Sequence, residues 1–270
     1  MSLTLMAVHA HPDDEATGTG GILARYAAEG VTTIVVTCTD GSCGDGPGGV
    51  KPGEPGHDPD AVAAVRRTEL AASCAALKVT HSEMLGYRDS GMPGWPTNDA
   101  PGSFWSTPVA EAAARLAALI TQYRPDVIVT YDENGGYPHP DHLQTHRVTM
   151  AAVDLVGDVP KVYWGATPRS WMANIVEQMR ELGVEWDESE TADAPQGVPD
   201  EQISAWIDVS AVTDQKYDAL AAHASQSDGA FLLDLGRERF GQIMGTETFV
   251  RVRDTTNAPT PETDLFAGLR

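Results

Sequence analysis

The sequence predicts an α/β fold: a Rossmann-like, mainly parallel sheet with helices on both faces and the active site at the carboxyl ends of the strands. Three observations carry this. Short, β-branched apolar runs alternate with longer helix-periodic segments through residue 156, the order of a parallel sheet with crossover helices. The runs are almost continuously apolar, as strands covered on both faces are. The densest polar motifs each follow a strand, where open α/β sheets bind their ligands.

Leu3–Val8 is the first strand, and it stops at His9-Ala10-His11-Pro12-Asp13-Asp14-Glu15. Ala16–Glu29 carries Ile22, Leu23 and Tyr26 at helical spacing, and Gly30 closes it. Within it, Thr17–Gly21 lacks the dinucleotide fingerprint, so its small residues are read as allowing close approach to a neighbour. Val31–Thr39 is a buried strand. Residues 40–59 hold seven Gly and four Pro, which makes them a long loop. Ala61–Leu77 is a helix bearing Arg66 and Glu69, and Glu83–Leu85 is a short strand. Tyr87–Pro108, with four Pro, three Gly and two Trp, is a second long loop. Val109–Tyr123 is a helix ended by Pro125, Asp126–Tyr131 is a strand, and Asp141–Val156 is a helix. Beyond residue 156 the pattern is thinner. Lys161–Gly165, Ala205–Val209 and Thr246–Arg253 read as strands, and Ser170–Leu182 and Asp214–Ser225 as helices. Gly183–Gln202 reads as a loop or insertion, and the Pro- and Thr-rich tail from Asp254 as a wrap over the surface. The expectation is one domain over residues 1–270, with the polar motifs in 1–156 and a more variable part completing it.

Composition narrows the function. The 270 residues carry 18 Lys+Arg against 39 Asp+Glu, a net charge of −21. Nucleic acid is an unsuited partner, because phosphate binding needs a basic footprint. No run approaches the roughly 20 apolar residues of a membrane helix. The N-terminus has neither a basic n-region nor a cleavage site. The three cysteines, Cys38, Cys43 and Cys74, match no disulfide or zinc-thiolate spacing. These features together predict a cytoplasmic protein with neither nucleic acid nor a membrane as partner, and leave self-association open.

Two motifs carry chemistry. His11-Pro12-Asp13-Asp14 places a histidine and adjacent carboxylates at a strand end, where their charge calls for a cation. His139-Pro140-Asp141-His142 repeats those ingredients after Asp126–Tyr131. Histidine and carboxylate donors suit catalytic zinc, which takes three protein ligands and keeps a position for water. Iron(II) or another divalent ion fits the same donors. His146, one helical turn beyond His142, is read first as a structural histidine.

The chain resembles the LmbE-like (PIG-L) zinc N-deacetylases. The resemblance rests on Ala10–Glu15 with Pro138–His142, on Arg66-x-x-Glu69, Tyr87–Met92 and Thr130–Tyr137, and on Ala221–Gln226 and Glu262–Gly268. The later blocks resemble the mycothiol-pathway branch, and the chain also resembles glycopeptide pseudoaglycone deacetylases. The resemblance implies that His11, Asp14 and His142 bind zinc and that Asp13 is the general base. It implies that His139, oriented by Asp141, stabilises the oxyanion or protonates the leaving amine, with Tyr137 near the substrate carbonyl. Arg66 and Asp89 would hold sugar hydroxyls. In the second long loop, Trp95, Phe104 and Trp105 read either as stacking on a sugar or aromatic aglycone or as loop anchors packing on the core. The implied reaction removes the N-acetyl group from an N-acetylglucosaminyl conjugate, either an inositol or a glycopeptide. The alternatives are a mycothiol-type conjugate amidase, another metal-dependent hydrolase, or a protein whose metal is purely structural.

Overall fold

The computed structural model describes residues 3–181, 197–227 and 229–270, without the side chains of 176–181. Seven strands form one sheet: β1 (Thr4–His9), β2 (Thr32–Thr39), β3 (His81–Tyr87), β4 (Val127–Tyr131), β5 (Lys161–Gly165), β6 (Ala205–Asp208) and β7 (Thr246–Asp254). Their order is β3-β2-β1-β4-β5-β7-β6. The first five run parallel, and β7 pairs antiparallel with both β5 and β6.

All six residues of β1 are buried, as the continuous apolar run required. Successive side chains alternate between two cores. Leu5 and Ala7 join a core with Ile22, Leu70, Leu220 and Phe240, under α2 (Gly20–Ala28), α3 (Pro59–Ala76), α7 (Thr213–Ala222) and α9 (Gly236–Met244). Met6 and Val8 join the other with Leu116, Ile120 and Val148, under α4 (Val109–Tyr123) and α5 (Pro140–Val156).

Several readings need correction. The helix expected over 16–29 is two, α1 (Asp14–Gly18) and α2, parted at Thr19. The close approach expected of its glycines is present at Gly21. A Cβ there would lie 2.5 Å from Val209 Cγ2, and the Gly21 and Ile22 amides donate to buried Glu247. β3 is longer than Glu83–Leu85. Helices α8 (Ala230–Asp234) and α9 fill a stretch to which no element was assigned. The tail does not merely wrap the surface: Leu265 and Phe266 are wholly buried, and Glu262 accepts from Lys161 and Tyr163 inside the protein. The helix read over 170–182 is α6 (Arg169–Glu181). Most of the loop read over 183–202 lies outside the described residues.

The chain leaves β1 in one direction toward β2 and β3, and continues on its other side at β4. That reversal opens a crevice at the carboxyl ends of β1 and β4.

Candidate active site and metal centre

The loops after β1, β2, β3 and β4 meet the α7–α8 segment around a cavity of about 900 Å³. His11, Asp13, Asp14, Arg66, Asp89, Trp95, Tyr137 and His139 all line it. The two sequence motifs, 128 residues apart at His11 and His139, are in ring-to-ring contact at 4.6 Å.

β1 delivers the first motif through a strained turn. Asp13 adopts φ 118°, ψ −30° and starts α1 without a side-chain cap bond. Its carboxylate instead accepts from Arg66 Nη2 at 2.6 Å. The same guanidinium donates to the carbonyls of Pro12 and Gly41. Burial pushes the Asp13 carboxyl up to about 6, against the pull of Arg66.

β4 delivers the second. Asp132 accepts from the amides of Asn134 and Gly136 and turns the chain. His139 then caps α5, its Nδ1 accepting from the Asp141 amide at 3.1 Å. Pro140 takes the first helical position, where a missing N–H costs nothing. His142 Nδ1 donates to the Gly135 carbonyl at 2.9 Å, which leaves Nε2 with its lone pair. That atom is buried and has no hydrogen-bond partner among the described residues. It lies 3.6 Å from Asp14 Oδ1. The ring stacks on Tyr131 at 4.3 Å.

His11 stands between carboxylates. Nδ1 is 3.4 Å from Asp14 Oδ2, Nε2 is 3.3 Å from Asp141 Oδ2, and Asp89 Oδ1 is 3.7 Å away. Burial alone would lower its pKa, yet Asp89, Asp14 and Asp141 together hold it well above the usual histidine range. Such surplus negative charge calls for a cation. Burial pushes His142 down to about 4 and His139 to about 3, so both rings are neutral. A neutral ring with a free, buried nitrogen is what a metal ligand must be.

Among the described residues, two groups have donor atoms mutually close enough to share an ion: His11 with His139 and His142, and His11 with Asp89 and Asp141. Asp14 is in neither, but its two oxygens face His11 and His142 separately. The residues therefore fit a metal ion by donor chemistry, with more donors than one ion needs.

The Asp141 carboxylate does not orient His139, contrary to the expectation. Its Oδ2 accepts from the Ser90 amide at 2.8 Å and faces His11; only its backbone reaches His139. The expected sugar-binding groups divide. Asp89 lines the cavity, its oxygens fixed by the amides of Gly91 and Cys43. Arg66 also lines it, but its bonds run to the protein. Trp95 is on the wall, whereas Trp105 is outside the lining, beneath the Arg147 guanidinium. Phe104 is wholly buried and stacks on Tyr87. His146 bonds the Tyr131 carbonyl and packs on Trp164, the structural reading. Cys43 reaches the cavity, but burial pushes its thiol up to about 12, which removes it as a nucleophile.

Sequence reasoning gave no role to Tyr131, Ser90 or Glu15, although all three lie inside quoted motifs. Nor did it give one to His223, which lines the cavity with Nδ1 buried and without a hydrogen-bond partner among the described residues.

The model of the GlcNAc-PI de-N-acetylase (PIG-L) family matches residues 6–153. The chain belongs to this family. A 1D-myo-inositol 2-acetamido-2-deoxy-alpha-D-glucopyranoside deacetylase of Acidothermus cellulolyticus is 43% identical over 284 residues, covering 100% of this chain and 96% of that protein. The likeness therefore extends through the C-terminal part. Among solved structures, N,N'-diacetylchitobiose deacetylase of Pyrococcus horikoshii superposes with a TM-score of 0.62 at 19% identity, over 97% of this chain and 88% of that one. The zinc-inhibited form of teicoplanin deacetylase Orf2 superposes with a TM-score of 0.58 at 22% identity, over 93% and 99%. These two bear on the fold. The PIG-L member is a deacetylase by its family and close relatives. Among the described residues no helix is long and apolar enough to cross a membrane.

Proposed function

We propose that the chain hydrolyses the acetamide of an N-acetylglucosaminyl conjugate, with an inositol conjugate as the favoured substrate. The observation that carries this is the buried Nε2 of His142, without a hydrogen-bond partner among the described residues, facing Asp14, which lines the cavity together with Asp13. The full-length relatives at about 40% identity supply the substrate.

His11, Asp14 and His142 would hold a divalent ion, zinc first and iron(II) second, as a set of two histidines and one carboxylate. Such an ion supplies Lewis acidity, which polarises a carbonyl and brings the pKa of water from about 15.7 toward 7. Asp13, adjacent to Asp14 and held by Arg66, takes the proton of the attacking water. The water oxygen bonds to the acetyl carbon, the C–N bond breaks, and the products are acetate and an amine that takes up a proton. His139 has Nδ1 occupied by the Asp141 amide. As a neutral ring it presents Nε2–H, which suits donation to the developing oxyanion. Tyr137, on the cavity wall and edge-on to His142 at 4.6 Å, is a second donor for the oxyanion or the amine. Asp89 is placed for sugar hydroxyls and Trp95 for stacking on the acceptor.

One observation favours a second substrate. The cavity wall opposite in character to the His/Asp cluster is apolar, with Leu220, Phe231, Leu232 and Leu233. An acceptor with an apolar portion, such as a glycopeptide pseudoaglycone, would use it. Acetate release by the zinc-reconstituted protein, compared on N-acetylglucosaminyl-inositol and a glycopeptide pseudoaglycone, tests both. Release from the inositol conjugate, lost in Asp13→Ala with metal retained, is the expected result. Release from neither would refute the deacetylation of these conjugates.

A further inference from the structure

The strained turn at Asp13 must be held by something. Its φ of 118° is unfavourable for any side-chain-bearing residue. Such conformations cost on the order of 1–3 kcal/mol and persist only where the surroundings impose them. Arg66 holds the side chain. The backbone is held by Glu15, whose Oε2 accepts from the Asp13 amide at 2.9 Å. Glu15 stands at the second helical position, and its carboxylate satisfies the N-cap amide, one of the donors a helix start leaves without an intrahelical partner.

Glu15 is itself gripped from two other segments. Its Oε1 accepts from Ser73 Oγ on α3 at 2.5 Å and faces His223 Nε2, just after α7, at 2.7 Å. Glu15 and Ser73 are wholly buried, and His223 is 3% exposed. A carboxylate this deep is costly unless its oxygens are bonded. Here both oxygens are, and each bond restricts where the carboxylate sits.

We infer that Glu15, clamped by Ser73 and His223, is a positioning residue that imposes the Asp13 backbone conformation and so aims the base. The inference rests on the reading of Asp13 as the base. It also explains why a histidine beyond α7 belongs to the same constellation as a motif after β1: the C-terminal part supplies one jaw of the clamp.

The test compares Glu15→Leu, Glu15→Gln and Ser73→Ala with the wild-type holoenzyme. Glu15→Leu removes the acceptor and should lower kcat about 10- to 100-fold, since misplacement by about 1 Å costs as much. KM and bound zinc should stay unchanged. Glu15→Gln keeps a carbonyl for the Asp13 amide and should recover kcat to within about 3-fold. Ser73 does not line the cavity, and Ser73→Ala should lower kcat about 3-fold with KM unchanged. Crystal structures of the variants should show the Asp13 φ released to negative values in Glu15→Leu and retained in Glu15→Gln. A Glu15→Leu enzyme with wild-type kcat, or with Asp13 still at its strained φ, overturns the inference. Should that variant not fold, an unchanged kcat in Ser73→Ala overturns it. Absence of acetate release by the wild type would count against the deacetylase reading alone. The Asp13 φ in the variant crystals would then decide the positioning.

Discussion

Removing Glu262 should destabilise the protein far more than its place in the tail suggests. Glu262 accepts from Lys161 Nζ at 2.5 Å, Tyr163 Oη at 2.6 Å and Arg251 Nη1 at 3.0 Å. Two of these donors keep partners without it: Tyr163 also donates to the Leu265 carbonyl, and Arg251 pairs with Asp254. Among the described residues Lys161 Nζ has no second hydrogen-bond acceptor, only the Tyr163 ring with its centroid 5.8 Å away, and Lys161 is 0% exposed. Glu262→Ala therefore strands a buried ammonium, at a cost of about 3–5 kcal/mol. At about 2–3 °C per kcal/mol for a chain of this size, Tm should fall by roughly 6–15 °C. The double variant Lys161→Met/Glu262→Met removes both charges and should recover most of the loss, because an apolar replacement of a buried pair is often neutral. Urea denaturation followed by circular dichroism, at fixed metal content, measures both. A single variant within about 1 kcal/mol of wild type, or a double variant as unstable as the single, would refute the reasoning.

Gly135 has φ +74°, and a Cβ there would lie 2.8 Å from His142 Cβ. Gly135→Ala should displace the carbonyl that orients His142 and weaken zinc binding about 10- to 100-fold, read by competition with a chromogenic chelator. Unchanged affinity would detach His142 from the metal. Chelation of the loaded enzyme should abolish acetate release, reversibly, while near-ultraviolet circular dichroism is kept. His142, His11 and Asp14 each have protein partners that hold them without an ion. Collapse of the near-ultraviolet signal would make the metal structural. Burial opposes the Asp264 carboxylate, but Arg270, the Phe266 amide and the Tyr26 hydroxyl hold its pKa below the ordinary 3.8. A depressed folded pKa contributes stability above the unfolded value that is lost as pH falls through the folded one. Asp264→Asn should thus lose stability relative to wild type at about pH 6, with the difference shrinking by about pH 3.5. An equal difference at both pH values would exclude this linkage.

The parallel half of the fold was legible because its strands are buried on both faces. Leu5–Val8 and Val127–Thr130 are apolar or β-branched at every position, and only a sheet covered twice demands that. The helix over 16–29 misled because its periodicity is set by Ile22, Leu23 and Tyr26. The break at Thr19 comes instead from Glu247, 226 residues from Gly21, accepting the Gly21 amide. No local pattern encodes that bond. The two motifs were legible for a different reason: histidines and aspartates at strand ends are too charged to be packing residues. Their partners were not: the resemblance implied that Asp141 orients His139. The fold instead turns the Asp141 side chain toward His11.

By sequence the C-terminal part reads as a more variable completion of the domain, and its buried charges tie it to the segments around the site. Glu247 takes the Gly21 and Ile22 amides at the start of α2 together with Lys216 Nζ. His223 faces Glu15, and Ser225 donates to Glu69 through both its amide and its hydroxyl. Gln226 accepts from the Asp45 amide in the loop after β2. The Lys216–Glu247 pair apart, each contact joins a residue beyond 215 to the segment 15–69, and each is polar where an apolar contact would have been cheaper to bury. Apolar packing fixes how deep an element sits but is tolerant of small slides. A bonded carboxylate fixes an amide to within a few tenths of an ångström. That precision is what the base proposed at Asp13 would require, so on that proposal the second half contributes position where the first contributes the reacting groups.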